Sequence, residues 1–187
     1  REEAPVIDPR CRAVVIGPGI GRSDEAQLFA DALTASATVP LVMDADAIDR
    51  KRIVEHRGSP IVVTPHAGEL QRLIDAPSAS PIENARRAAR ELGATVLLKG
   101  PVTVVAQPDG VTRIVTSGTP ALATAGTGDV LSGVIGALLA RGLEPLEAAS
   151  LGAHLQGRAG ALLAPYATAS EMDGALRRIL GELEHAS

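Results

Sequence analysis

The sequence is poor in residues on which whole classes of function depend. It holds one cysteine, Cys11, which can form neither an internal disulfide nor a thiolate metal cage. Aromatic residues make up only 1% of the chain, and none is tryptophan. Proteins that bind single-stranded nucleic acid stack bases on aromatic side chains, so this scarcity disfavours that class. A bound heterocyclic ring must therefore lie mostly against aliphatic side chains.

Positive charge and long apolar runs are scarce as well. The formal net charge is -4, which lacks the electrostatic footprint of a nucleic-acid partner. Only two lysines occur, Lys51 and Lys99, so a lysine inside a motif is informative. No apolar run approaches the roughly 20 residues of a membrane span, and the first residues do not resemble a signal peptide. We therefore expect a cytoplasmic protein with no membrane partner.

What the chain does contain is an alternation of short apolar strands and amphipathic helices. With 187 residues, 45% of them hydrophobic, we expect one domain of the α/β class. The pattern predicts a mostly parallel sheet with helices on both faces and ligands at the carboxyl ends of its strands. Strands are predicted at 13–16, 41–43, 61–63 and 94–98, with a hairpin turning at 109–110. Helices are predicted at 24–36, 47–56, 68–74, 81–92, 129–141, 145–163 and 169–185.

Polar or glycine-rich turns follow several of these strands. GPGIG, 17–21, allows backbone N–H groups to approach a phosphate, or is only a tight turn. Asp44 and Asp46 in DADAID could meet a metal-bound phosphate or a ribose. Asp46 is alternatively predicted as a helix cap, and Asp44 is the better functional candidate. His66 in TPHAGE could hydrogen-bond a ligand, although a lone histidine is more often structural. Lys99 in LLKGPVT could reach a nucleotide phosphate, with Gly100 exposing backbone donors, or could be a solvated strand end.

The stretch AGTGDVLSG is the strongest candidate for catalysis. Gly126, Thr127 and Gly128 precede a long apolar helix, so their N–H groups and the helix dipole can form an anion hole. Asp129 follows at once, where a carboxylate can orient and deprotonate an acceptor hydroxyl in phosphoryl transfer. The alternative is an acid that merely stabilises the first helical turn, by about 0.3–1 kcal/mol. The two glycines and the threonine before Asp129 favour catalysis.

Taken in order, GPGIG, DADAID, TPHAGE, LLKGPVT and AGTGDVLSG resemble the motifs of the ADP-dependent NAD(P)H-hydrate dehydratase family. This family is the carbohydrate-kinase-like domain of nicotinamide nucleotide repair proteins. The resemblance covers nearly the whole chain from about residue 13 and implies a three-layer, ribokinase-like α/β fold. It implies dehydration of the (6S) hydrate of NADH or NADPH, through phosphorylation of the ring hydroxyl and elimination of phosphate. The implied cofactors are ADP, or alternatively ATP, and Mg²⁺.

The resemblance also implies roles for single residues. Asp129 would be the base that acts on the hydrate, facing an anion hole of Gly126, Thr127 and Gly128. Gly21 and His66 would contact the hydrated substrate, and we assign Asp44 to the substrate as well. No residue is assigned as a metal ligand. The nucleotide would lie along Lys99, Gly100, Pro101, Val102, Thr103 and Gly128.

The chain departs from the family pattern in two motif positions and in extent. Ala125 stands where the family has a glycine, and Thr119 stands where it often has an asparagine. The family domain normally begins with a further strand–helix–strand section, so we expect residues 1–187 to be one domain lacking it. We also expect a homo-oligomer, and we leave open an epimerase domain fused to or associated with this one.

Two other functions remain open from the sequence. A small-molecule kinase of the same superfamily, of the hydroxymethylpyrimidine or hydroxyethylthiazole type, would use the same Asp129 and anion hole. TPHAGE and DADA favour the dehydratase over the kinase. The second alternative is a nucleotide-binding module without catalysis, which the intact Asp129 and Lys99 disfavour.

Overall fold

The protein is built around a six-stranded sheet in which sequence order and spatial order coincide. A computed structural model describes residues 5–75, 77–163 and 168–184. The first four strands are parallel, and the last two continue the sheet as an antiparallel hairpin. The predicted mostly parallel sheet is therefore confirmed. The strands are β1 Val14–Ile16, β2 Leu41–Met43, β3 Ile61–Val63, β4 Thr95–Leu98, β5 Thr103–Ala106 and β6 Thr112–Val115.

Seven α-helices accompany this sheet in the described part of the chain. They are α1 Asp24–Ser36, α2 Arg50–Glu55, α3 Ala67–Leu70, α4 Pro81–Leu92, α5 Thr127–Ala140, α6 Pro145–Gly160 and α7 Met172–Glu184. Helix ends with strong local signals lie where the sequence predicts them. Ser23 and Ser80 cap α1 and α4, and Gly93 ends α4 in a left-handed conformation. None of the helices in the described ranges is long and apolar enough to span a membrane.

Alternate residues of the buried strands serve opposite faces of the sheet, as the period of two in a strand requires. Met43, Val63 and Val96 belong to a core shared with residues of α1, α2 and α4. Val42 and Val62, one position away, belong to a second core shared with α5 and α6. Because helices cover both faces, the fold has three layers, as expected. A third, smaller cluster joins α6 to α7.

The segment after β2 differs from the predicted helix 47–56. It first makes a 3-10 turn, Ala45–Ala47, and α2 begins only at Arg50. The predicted cap Asp46 is wrong, because its carboxylate pairs instead with Arg22 at 2.8 Å. Asp49 is the cap of α2, since its side chain accepts the N–H of Arg52 at 2.9 Å.

Several other helix bounds also differ from prediction. The helix predicted at 68–74 is the short α3, whose cap is His66. The helix predicted from 129 begins at Thr127, and the one predicted to reach 163 ends at Gly160. The last helix is preceded by a 3-10 turn, Ala169–Glu171, and its predicted end at His185 lies outside the described residues.

The strand directions bring the predicted functional turns to one edge of the sheet. The carboxyl ends of β1 to β4 all lie there, because these strands are parallel. The hairpin reverses direction, so the start of β5 at Thr103 and the end of β6 at Val115 lie at this same edge, paired with each other. We refer to it as the carboxyl edge.

Close approach between α6 and the loop after β6 yields a test of the packing. A Cβ at Gly157 would lie 2.6 Å from the carbonyl carbon of Ser117, which is backbone and cannot swing aside. We expect Gly157→Ala to lower the free energy of unfolding by about 1–3 kcal/mol through overpacking. Gly133→Ala is the matched control, because a Cβ at this exposed α5 position meets nothing within 4 Å. It should raise stability by about 0.5–1 kcal/mol through helix propensity. Urea denaturation of both variants measures the difference, and equal effects would contradict the packing described.

Candidate functional site

A cavity of about 560 Å³ lies at the carboxyl edge. Part of its lining is aliphatic, from Val115, Leu122, Leu131 and Ala153, with no aromatic residue among the lining residues described. A ring bound here would therefore lie against aliphatic side chains, as the composition predicts. Its charged or polar lining includes Lys99, His66, Thr103, Thr119, Thr127 and Gln156.

The cavity brings together most, but not all, of the residues assigned to the nucleotide. Four of the assigned residues from the β4–β5 connection line it, and so does Gly128 at the start of α5. Val102 does not line it, and this side chain is 46% exposed. Gly126, Asp129, Gly21 and Asp44 also lie outside its lining. The lining residues from the β4–β5 connection are Lys99, Gly100, Pro101 and Thr103.

The start of α5 is open to an anion. Gly126 precedes the helix in a left-handed conformation with φ of 87°, and no side chain caps the first turn. Within the described ranges, the N–H groups of Gly128 and Asp129 have no acceptor. These donors and the positive end of the helix dipole point the same way, which is the usual basis of anion binding at a helix start.

The Asp129 carboxylate lies beside these donors and has no hydrogen-bond or ion-pair partner among the described residues. Asp129 is the third residue of α5, and its side chain is exposed. A ligand hydroxyl can therefore reach Asp129 while a neighbouring anion meets the N–H groups.

Lys99 directly follows β4 and carries the cavity's fixed positive charge. Its ammonium donates to Oδ1 of Asp44 at 2.8 Å. A Cβ at Gly128 would lie 3.5 Å from the Lys99 nitrogen, so the ammonium sits against the first turn of α5. This is where a phosphate held by that turn would lie.

The structure buries Asp44, for which the sequence predicts a substrate contact. The residue is 1% exposed. Besides Lys99, its carboxylate accepts the N–H of Ala45 at 2.9 Å and the hydroxyl of Ser132 at 2.7 Å. Both oxygens are thus engaged by internal partners, and the substrate contact assigned to Asp44 stays a prediction. Helix α5 packs over the end of β2 and closes it from solvent.

His66 has a structural role and also lines the cavity, the two alternatives that the sequence leaves open. Its Nδ1 accepts the N–H groups of Gly68 and Glu69, at 3.0 and 3.2 Å, and so caps α3. The Glu69 carboxylate returns a bond by accepting the His66 N–H at 2.8 Å. The ring also lines the cavity, and its side chain is 57% exposed. With Nδ1 acting as an acceptor, the neutral ring carries its proton on Nε2, which lies 3.6 Å from Oε2 of Glu69 and can also face a ligand in the cavity.

The GPGIG turn approaches the same edge through its backbone. A Cβ at Gly17 would overlap the carbonyl oxygen of Asp44, so only glycine permits this contact. Gly21 also has a positive φ, 79°, and its carbonyl accepts the Gln27 side-chain amide at 2.9 Å. The turn is thus fixed beside the end of β2, on the far side of Asp44 from Lys99.

Two site residues are missed by the sequence reasoning. Ser132 is fully buried and donates to Asp44, and Gln156, 5% exposed, donates its side-chain amide to the carbonyl of Thr127. Both are polar residues on otherwise apolar or small-residue faces of α5 and α6. That pattern was the available signal, since a buried polar side chain needs a partner.

Two substitutions of His66 distinguish its role as the cap of α3 from its proposed contact with a ligand. Asparagine is a good N-cap residue, so His66→Asn should keep the start of α3 while removing the Nε2 donor. His66→Ala removes both and should cost about 1 kcal/mol of unfolding free energy. Chemical denaturation compares the two variants, and two-bond ¹⁵N–¹H correlation spectra of the wild type should show the Nε2–H tautomer. Equal destabilisation by both substitutions, or an Nδ1–H tautomer, would contradict the capping geometry.

Known proteins share this site-bearing fold and much of its sequence. Residues 3–180 match the NAD(P)H-hydrate dehydratase family. The bifunctional NAD(P)H-hydrate repair enzyme Nnr of Mycobacterium tuberculosis is 47% identical over 151 residues, which cover 78% of this chain and 32% of that protein. The enzyme of the same name from Moorella thermoacetica is 43% identical over 155 residues, covering 79% and 29% respectively.

A solved structure shows the same relationship. The ADP/ATP-dependent NAD(P)H-hydrate dehydratase of Bacillus subtilis, co-crystallised with ATP and Mg²⁺, superposes with a TM-score of 0.83 at 32% identity. The superposition covers 91% of this chain and 64% of that one. The chain thus spans under a third of these curated relatives and about two thirds of the Bacillus chain.

Proposed function

This chain belongs to the NAD(P)H-hydrate dehydratase family, and from that premise we propose that it dehydrates the (6S) hydrate of NADH or NADPH. ADP or ATP would be the phosphoryl donor. The observation that carries the proposal is the exposed carboxylate of Asp129, which no residue of the described ranges pairs, beside the uncapped start of α5. A carboxylate next to an anion-binding helix start suits the activation of a hydroxyl toward a phosphoryl group.

The nucleotide would occupy the cavity at the carboxyl edge. Its base has an aliphatic surface available from Val115, Leu131 and Ala153. Its phosphates have the Lys99 ammonium and the N–H groups of Gly128 and Asp129. The positive charge and free donors match the phosphates of a nucleotide, and the apolar surface of the cavity matches its base.

The reaction follows from this placement. Asp129 accepts the proton of the hydrate's ring hydroxyl, and the oxygen forms a bond to the terminal phosphorus of the nucleotide. The bond from that phosphorus to its bridging oxygen breaks, which releases AMP from ADP or ADP from ATP. The carbon–oxygen bond of the phosphorylated ring then breaks, phosphate departs, and loss of a ring proton restores the reduced nicotinamide. Lys99 and the helix start stabilise the charge on the transferring phosphoryl group.

Magnesium would enter this site with the nucleotide. The residues described contain no group of three or more His, Cys, Asp or Glu side chains placed to hold a metal ion. Mg²⁺ commonly needs only one or two carboxylates, because substrate phosphates and water complete its shell. Here the nucleotide phosphates and water would supply that shell, because Asp129 serves the ring hydroxyl and the Asp44 oxygens are engaged. When bound, the ion would neutralise phosphate charge.

The hydrated ring would lie next to Asp129, between His66 and the turn that contains Gly21. His66 supports this placement because its ring lines the cavity and its side chain is 57% exposed. Gly21 lies in the turn beside the end of β2, where its backbone can meet the nucleotide part of the substrate. We retain both as proposed substrate contacts.

We extend the proposal to the protein as a whole. Residues 1–187 would form one domain that is completed by a further strand–helix–strand section. Supporting this, β1 is at the edge of the described sheet, and its Val15 is 39% exposed. We also propose a homo-oligomer in the cytoplasm, with an epimerase activity fused or associated. The bifunctional name of the relatives supports a second activity alongside this one. Sedimentation of the full-length protein and an assay for epimerisation of the hydrate test these points.

Replacement of the proposed base tests the chemistry. Asp129→Asn should lower kcat by about 10²–10⁴-fold, because the amide cannot take the hydroxyl proton. Asp24→Asn is the matched control, since Asp24 is also an exposed acid in the first turn of a helix. Both variants should lose only about 0.3–1 kcal/mol of stability, from the helix dipole. Activity is followed as recovery of reduced nicotinamide absorbance from the hydrate with nucleotide and Mg²⁺.

The outcomes separate the candidate functions. Undiminished recovery in Asp129→Asn would remove the assigned role of this residue. Absence of recovery in the full-length wild type, together with phosphorylation of a hydroxyethylthiazole or hydroxymethylpyrimidine alcohol, would identify a small-molecule kinase. Nucleotide binding without either reaction would identify a binding module.

A further inference from the structure

The buried carboxylate of Asp44 joins three elements that meet at the carboxyl edge. Asp44 directly follows β2, Lys99 directly follows β4, and Ser132 lies in the second turn of α5. The carboxylate bonds to the side chains of both of the others, at 2.8 and 2.7 Å. Its third bond, from the Ala45 N–H, fixes the carboxylate's own orientation.

We propose that Asp44 and Ser132 are positioning residues that hold the Lys99 ammonium under the first turn of α5, ready for a nucleotide phosphate. The inference rests on the proposed function, because it assumes that a nucleotide occupies the cavity. It is an alternative to the direct substrate contact that the sequence suggests for Asp44.

The electrostatics explain why Lys99 needs such a partner. Its ammonium lies beside the positive end of a helix dipole, and only 24% of its side chain is exposed. Like charges placed together with little solvent repel, and a long lysine side chain is free to swing away. The Asp44 carboxylate offsets this repulsion and keeps the nitrogen at one place. An ammonium has three donors, so the bond to Asp44 leaves two for a phosphate in the cavity.

Ser132 makes the arrangement rigid toward α5. Its hydroxyl lies 2.7 Å from Oδ2 of Asp44 and 3.0 Å from the carbonyl oxygen of Gly128, one turn earlier in the same helix. A Cβ at Gly128 would lie 3.6 Å from Oδ2. The carboxylate is thus fitted against the same helical turn that offers the free N–H groups. The position of the Lys99 ammonium relative to those N–H groups is therefore fixed.

A double-mutant cycle on the full-length protein tests the inference. Asp44→Asn, Lys99→Met and the double variant are compared with the wild type by calorimetric measurement of the Kd for ADP. Asp44→Asn should raise that Kd about tenfold in the wild-type background, the scale of a charge-assisted hydrogen bond. In the Lys99→Met background it should change the Kd by less than about twofold, because Asp44 acts through Lys99.

Two further variants keep the test independent of folding. Asp49→Asn is the matched control and should leave the Kd for ADP unchanged. It is the same substitution in the same connection between β2 and α2, but Asp49 caps α2 and does not contact Lys99 or Ser132 in the described structure. Ser132→Ala keeps both charges and should raise the Kd in the same direction as Asp44→Asn, by a smaller factor. It provides the measurement if Asp44→Asn does not fold.

Steady-state kinetics separate positioning from substrate contact. The inference expects Asp44→Asn to raise the KM for the nucleotide while the KM for the hydrate stays unchanged. A raised KM for the hydrate with an unchanged Kd for ADP would overturn it, as would equal effects of Asp44→Asn in both backgrounds of the cycle. ADP binding with the expected coupling but without dehydration would instead refute the proposed reaction and leave the positioning role standing.

Discussion

The carboxyl edge of this protein depends on one buried charge that must be paired. A carboxylate removed from water is costly unless cations and hydrogen-bond donors surround it, and Asp44 meets this condition with a lysine, a serine and a backbone N–H. Each partner lies on a different structural segment. Separating them would leave the carboxylate unpaired, so the end of β2, the end of β4 and the start of α5 are constrained to one geometry.

The start of α5 shows the opposite condition, since its polar groups are left without partners. Gly126 gives no side-chain cap, and two N–H groups lack acceptors among the residues described. An ordinary helix would gain about 1 kcal/mol from a serine or aspartate at that position. Leaving this helix start uncapped, over a fully satisfied carboxylate, creates a place where an anion completes the hydrogen bonding. The paired Asp44 carboxylate thus stabilises the base of the site, while the uncapped start of α5 leaves its surface less stable.

Local signals in the sequence predict much of this fold, and longer-range packing accounts for the differences. The strands, the caps Ser23 and Ser80, and the hairpin turn were predictable because neighbouring residues determine them. Asp46 and Asp49 are the same residue type, so local sequence does not distinguish them as caps. Asp46 pairs instead with Arg22, 24 residues away, while Asp49 caps α2. Chain order alone gives no hint that α5 packs over β2.

The candidate site shows the same division. The motif residues around Lys99 and Gly128 do meet at one cavity, because parallel strands end at a common edge. The direction in which the Asp44 side chain points was not predictable, since it depends on Ser132, 88 residues away. Gln156 was missed for the same reason, because its partner is the carbonyl of Thr127 on another helix.

The hairpin of β5 and β6 has a practical consequence. Its two open ends, Thr103 and Val115, lie at the carboxyl edge, so its tip at Asp109 and Gly110 lies at the opposite rim of the sheet. The tip is a tight turn, with Gly110 at φ of 95° and Asp109 exposed. Exposed loop tips of this kind are where chains best accept inserted residues. A fluorophore or an affinity tag placed between these two residues would report on the protein from the side remote from its chemistry.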